Sequence, residues 1–203
     1  MAAYMKGHFE YLGLTAGERR TESKALITLA KKMEPSELLD TAETLWSEPE
    51  REFHYVGMDL MRAGAKSLRP EDLDRVRGLI TATPWWDTVD SLAIHTVATL
   101  VRQHSELAEE MDMWVESDDI WIARTAILHQ LMYKADTDTN RLFTYCEMRM
   151  ADTEFFLRKA IGWALRHYAR TDPDAVRSFV QRNEASLSGL SKREALKNLG
   201  SSS

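Results

Sequence analysis

Apolar residues recur along this chain at helical spacing from one end to the other. RTESKALITLAKKM (20–33) sets Ala25, Ile27, Leu29 and Met33 at near-helical intervals, which predicts a helix with those residues turned inward. SELLDTAETLW (36–46) follows Pro35, and PEREFHYVGMDLMRAGAK (49–66) opens with a proline suited to a first helical turn. Asp172-Pro173 reads as a cap plus first-turn proline, and Ser191 with Glu194 three residues on reads as a capping box. TATPWWDTVDSLAIHTV (81–97) reads as the start of another amphipathic helix. No segment alternates polar and apolar residues for long enough to propose a strand, so the pattern predicts an all-α chain.

The helices also repeat. IARTAILHQL (122–131) and FLRKAIGWAL (156–165) match at an offset of 34 residues through Ile122/Phe156, Arg124/Arg158, Ala126/Ala160, Ile127/Ile161 and Leu131/Leu165. One more step back from Arg124 reaches Asp90. Shorter helices fall between: EDLDRVRGLI (71–80), SELAEEMDMWV (105–115) and TNRLFTYCEM (139–148). Alternating long and short helices with a period of this size predict an α-solenoid of HEAT-like antiparallel helix pairs. In such a stack one helix of each pair lines the concave face. Asp90, Arg124 and Arg158 would then hold equivalent concave positions, and residues 1–199 would form a single repeat domain followed by a flexible tail, 200–203.

Composition bounds this picture without changing it. The 203 residues suffice for one substantial domain, and nine glycines with five prolines favour helices over a turn-rich β fold. The single cysteine, Cys146, allows no internal disulfide and suggests a reducing, cytoplasmic setting. No apolar run is long enough to span a membrane, and the N-terminus lacks the plan of a signal peptide. The net charge of −6 argues weakly against nucleic acid, but the charge is segregated. SELAEEMDMWVESDD (105–119) carries acids and no Lys or Arg, whereas FFLRKAIGWALRHYAR (155–170) carries Arg158, Lys159, Arg166 and Arg170 and no acid. Both stretches also read as solvated helix faces; with the repeat, the second reads as a basic concave surface suited to a rod-like polyanion.

The chemistry on offer is concentrated in PWWDTVDS. Trp86 and Asp90, four apart, share one helix face, and Asp87 lies near it. Trp85, about 100° round the helix from Trp86, is expected in the core. Each residue has an ordinary reading as well: a tryptophan pair packs cores, Asp90 is solvated or arginine-paired, Arg124 is its surface partner, and Trp163 in AIGWALR is a packing ring. Other mechanisms find little support. Six histidines form no HExxH, and Cys146 reads as a buried inert thiol. There is no Gly-rich phosphate loop, nucleophile elbow or nucleotide fingerprint, so the sequence suggests neither a metal nor a nucleotide cofactor.

Read together, HFEYLGLTAGERR (8–20), LWSEPEREF (45–53), PWWDTVDS (84–91), DIWIARTAILHQLMYK (119–134), EFFLRKAIGWALRHYARTDPD (154–174) and LSKREALK (190–197) cover nearly the whole chain in order. In these segments the sequence resembles the AlkD-type HEAT-repeat DNA glycosylases of bacterial alkylation repair. The resemblance implies a monomeric enzyme that excises N3- and N7-alkylated purines from double-stranded DNA, without a base-flipping pocket, a cofactor or a membrane. It puts the catalytic aspartate at Asp90, the cleft tryptophans at Trp86 and Trp163, and the phosphate-binding arginine at Arg124. Tyr4 matches a DNA-facing tyrosine, and Lys134, Arg158 and Arg166 add to the basic face. Family members usually carry a further helix before this tyrosine, whereas three residues precede it in this sequence. That departure keeps a second reading open, a non-catalytic HEAT-repeat protein that binds distorted or branched DNA. A protein–protein scaffold, the third, would need an apolar or acidic groove.

Overall fold

A computed structural model describes residues 5–199. Tyr4 and the tail 200–203 lie outside the described residues. The described chain is all-helical; its only β contact is an isolated parallel bridge between Glu10 and Glu50, where Arg51 N donates to Glu10 O at 2.9 Å. Contacts cluster into two compact units, Met1–Ser105 and Glu106–Ser203.

The first unit contains α1 (Ala16–Ala30), α2 (Pro35–Trp46), α3 (Arg51–Gly64), α4 (Leu73–Thr81), α5 (Trp86–Ser91) and α6 (Ala98–Gln103), with a π-helical stretch, Leu92–Val97, joining the last two. Both α1 and α2 pack on α3. Leu38, Leu39, Leu60, Met61, Ile80, Val89, Leu92 and Leu100 form its core. Local chemistry fixes the helix starts. Thr15 and Glu18 close a capping box on α1, and Pro35 occupies the first turn of α2. Pro49, expected inside α3, precedes its cap residue Glu50.

The face of α1 differs from the expected one. Ala25 and Leu29 are exposed, while Arg19, Ser23 and Ala30 are buried; of the expected apolar set only Met33, beyond the helix end, is buried. The reason lies on α3. Arg19 pairs with Asp59 at 3.3 Å and lies 4.8 Å from the Tyr55 ring centroid, so an arginine takes the inward position a leucine would otherwise fill.

The second unit contains α7 (Ala108–Val115), α8 (Ile120–Leu128), α9 (Thr139–Arg149), α10 (Phe155–Tyr168), α11 (Pro173–Arg182) and α12 (Gly189–Leu196). α10 packs on α8 and most extensively on α12, around Ile127, Leu142, Leu157, Ile161, Leu165 and Phe179. Side-chain caps start four of these helices: Asp119, Asp138, Asp172 and Ser188 each accept from a backbone N–H of the following turn. Asp172-Pro173 behaves as the sequence suggests. Ser191 and Glu194 do not form a capping box: Ser188 is the cap, Ser191 is already inside α12, and its hydroxyl donates to Arg158 O at 2.9 Å. Glu194 instead reaches back to α10, 2.8 Å from Lys159 Nζ and 2.7 Å from Arg166 Nη1.

Packing of each helix on the next or the next but one within each unit, as α2 and α1 on α3 or α8 and α12 on α10, agrees with the α-solenoid class. No helix among the described residues is long and apolar enough to cross a membrane.

Candidate catalytic helix and anion-binding residues

The first turn of α5 is clamped from inside its unit. Arg51, the first residue of α3, has no solvent exposure, and its guanidinium forks onto Asp87: Nη2 donates to Oδ1 at 2.6 Å and Nε to Oδ2 at 3.2 Å. The remaining donors serve Thr83 O, Thr88 Oγ1 and His54 Nδ1, at 3.0, 2.8 and 2.9 Å. Tyr55 OH donates to Asp87 Oδ2 at 2.7 Å, and Thr88 N donates to Oδ1 at 3.0 Å. Phe9 covers the guanidinium 3.8 Å away. His54, whose pKa burial pushes below the ordinary imidazole value, acts as the neutral acceptor for Arg51 while its Nε2–H donates to Glu48 O at 2.9 Å. Asp87 is thus saturated with donors and positions the helix; it is not a spare acid on the Asp90 face.

One turn further, Asp90 is buried, with 6 % exposure, and the π-helical stretch begins two residues after it. Such stretches recur at functional sites, because the wider turn re-aims side chains that a regular helix would stack. Trp86 is half-buried and lines a cavity of about 260 Å³ with Tyr11, Arg19, Tyr55, Met58 and Asp87. Trp85 is half-buried as well, contrary to its expected place in the core. It caps α5 in extended conformation (φ −156°, ψ 156°), so helical rotation does not govern it, and its ring sits 4.3 Å from that of His8.

The second unit carries the remaining candidates. Arg124, on α8, has 4 % exposure; it donates to Phe156 O, and its guanidinium lies 5.9 Å from the Phe156 ring. It is therefore no surface arginine. Arg158, its repeat equivalent on α10, also serves a backbone carbonyl, Asp152 O at 2.7 Å. Trp163 is half-buried and meets His167 edge-on, with ring centroids 6.2 Å apart. Arg166 is paired with Glu194, and Lys134 is exposed. The acid-rich stretch is partly neutralised within its own unit: Asp112 binds Arg141 at 2.7 and 2.8 Å and accepts from Tyr145 at 2.6 Å, and the Arg141 bond holds its carboxyl below the usual range. Cys146 is fully buried, and burial pushes its thiol pKa up, away from reactivity. Among the described residues no three His, Cys, Asp or Glu side chains gather closely enough to hold a metal ion.

Sequence reasoning missed the Arg51–Asp87–Tyr55–His54 network. Its one local signal was the run REFHY at a helix start, which says nothing of a partner 36 residues away.

A family model described as DNA alkylation repair enzyme matches residues 1–199. No curated protein matches the chain. Among solved structures, one titled "Predicted DNA alkylation repair enzyme from Enterococcus faecalis" is similar to it at 30% sequence identity with a TM-score of 0.91, over 100% of this chain and 94% of that one.

Proposed function

Since the chain belongs to the family of DNA alkylation repair enzymes, we propose that it is a monofunctional DNA glycosylase that hydrolyses the N-glycosidic bond of cationic N3- and N7-alkylated purines in double-stranded DNA. The observation that carries this reading is Asp90: a buried carboxylate one helical turn beyond the half-buried Trp86, on a helix whose start is fixed by Arg51 and Asp87.

The proposed chemistry needs little else. An alkylated purine already bears a positive charge, so the glycosidic electron pair leaves with the base and the base departs neutral. No general acid is required, and Asp87, saturated by donors, offers none. Positive charge develops on the deoxyribose as the bond stretches. The Asp90 carboxylate stabilises that charge and orients the water that adds at C1′, whose surplus proton passes to solvent. The Trp86 face packs on the sugar and favours its cationic form, by ~0.5–2 kcal/mol for contacts of this type. In the same reading Trp163 supplies a second aromatic face. Arg124 and Arg158 hold backbone phosphates, while Lys134 and Arg166 add cationic charge, Arg166 after exchanging Glu194 for phosphate.

The test is release of 7-methylguanine from methylated duplex DNA by the wild-type chain and by Asp90→Asn. The variant should fold, bind duplex at least as tightly, and lose on the order of 10²-fold or more in excision, because the carboxylate acts mainly in the transition state. Undiminished excision by Asp90→Asn would remove Asp90 from the mechanism. Tight duplex binding with no release by the wild type would transfer the assignment to a non-catalytic protein that binds distorted DNA.

A further inference from the structure

A cavity of about 300 Å³ lies within Glu106–Ser203, where the ends of α8 and α10 meet the start of α9. Its floor is apolar, with Ile127, Leu131 and Ala164, and its polar side presents Lys134, His167 and Arg170. None of the residues lining it is Asp or Glu. Several other cations of this unit are paired internally: Lys159 and Arg166 with Glu194, Arg141 with Asp112, Arg149 with Asp152. Lys134 and Arg170 are not; both are exposed, and among the described residues neither lies within ion-pair distance of a carboxylate.

Two further observations mark this place. Lys134 holds φ at +55°, in the left-handed region that side chains with a Cβ rarely adopt. The strain is held by Thr137, whose N and Oγ1 donate to Lys134 O at 3.2 and 2.8 Å. Strain kept in place by its surroundings is a pointer to function. His167, one turn along α10 from Trp163, titrates below the ordinary imidazole value. Burial is the main cause, followed by the guanidiniums of Arg170 and Arg166, with the Leu131 carbonyl acting in the opposite sense. Arg170 beside it adds a positive charge that no carboxylate lining the cavity offsets.

We infer that this cavity is a binding site for a phosphate group, held between Lys134 and Arg170 with His167 as a third donor. As a contact to the DNA backbone it rests on the function proposed above; as a site for phosphate chemistry it does not. A backbone phosphate seated here would fix the duplex on the side of Trp163.

The experiment has two arms on the full chain, neither of which requires excision. In the first, inorganic phosphate is titrated while the His167 ring is followed by NMR. A bound dianion between Lys134, Arg170 and His167 should raise the His167 pKa by about one unit, and the double variant Lys134→Ala/Arg170→Ala should abolish the rise. In the second, binding of an undamaged duplex is measured against salt. The double variant should lower the slope of log affinity by about one, for the one lost phosphate contact, and weaken binding roughly tenfold or more at low salt. Both responses together assign the site to the DNA backbone. A His167 response with unchanged duplex binding keeps the phosphate site and assigns it to a free phosphorylated ligand. A silent His167 overturns the proposal whatever the slope does, since a slope change alone would place the two cations on open surface. Because undamaged DNA is the probe, failure of this site and failure of the glycosylase reading remain distinguishable.

Discussion

Arg51 is a guanidinium with no exposure, and it decides where α5 begins. Its fork onto Asp87 is desolvated on both sides, with side-chain exposures of 0% and 8%. Breaking such a pair leaves a buried charge without its counter-charge. Asp87→Asn should therefore lower stability by on the order of 3 kcal/mol, read as a shift of the urea midpoint at constant slope. A midpoint within error of the wild type would mean that Arg51 finds another anion or water. At this scale the sequence was legible where geometry is local. Trp86 and Asp90 could be placed on one helix face because four residues separate them. Arg51–Asp87 and Arg19–Asp59 could not be read, since pairing across 36 or 40 residues depends on how helices dock. Trp85 was misplaced because a cap residue does not obey helical rotation.

Between helices, the close approach of α10 and α12 turns on Gly162. A Cβ there would come within 2.5 Å of Glu194 Cβ and 3.0 Å of Ser191 O, and the latter is backbone that cannot swing aside. Gly162→Ala should force α12 outward, loosening Glu194 from Lys159 and Arg166, at a cost of about 1–3 kcal/mol. For a chain of this size that is a fall in Tm of several degrees, at roughly 2–4 °C per kcal/mol. An unchanged melting curve would show that α12 moves away freely. This contact also explains the misread capping box. The sequence LSKREALK contains a serine and a glutamate at the right spacing, but both are engaged by α10, and Ser188 takes the cap. Helix existence was legible throughout from periodicity. The face each helix buries was not always so, because α1 turns Arg19 and Ser23 inward and leaves Leu29 out.

Taken as a whole chain, the all-helical class followed from the pattern alone, whereas the clustering of contacts into Met1–Ser105 and Glu106–Ser203 depends on helix docking that the pattern does not encode. Net charge was a poor guide, since much of the acid and base is cancelled inside each unit. The pH response should be set instead by imidazoles held neutral. His129 is buried, and desolvation lowers its pKa from 6.5 to about 4, while its Nδ1–H donates to Ala126 O at 2.7 Å. His54, His95 and His167 are shifted in the same direction. Above pH 6.5 the His129 imidazole is neutral whether the chain is folded or not. As pH falls, the unfolded chain takes up the proton first, so stability declines between about pH 6.5 and 4, by up to ~3 kcal/mol from His129. Urea midpoints at pH 7 and pH 5 check this: the midpoint should fall at pH 5, and the fall should shrink in His129→Leu. A flat profile would mean that the imidazole is protonated while still folded.

Cys146 also has a use that its inertness creates. It is the chain's only thiol, fully buried on α9. A water-soluble alkylating reagent can reach it only while Glu106–Ser203 is open, so the speed of modification at high reagent concentration counts openings of that unit and ignores the other. The natural sequence thereby carries its own stopwatch for one half of the molecule, with no label to engineer.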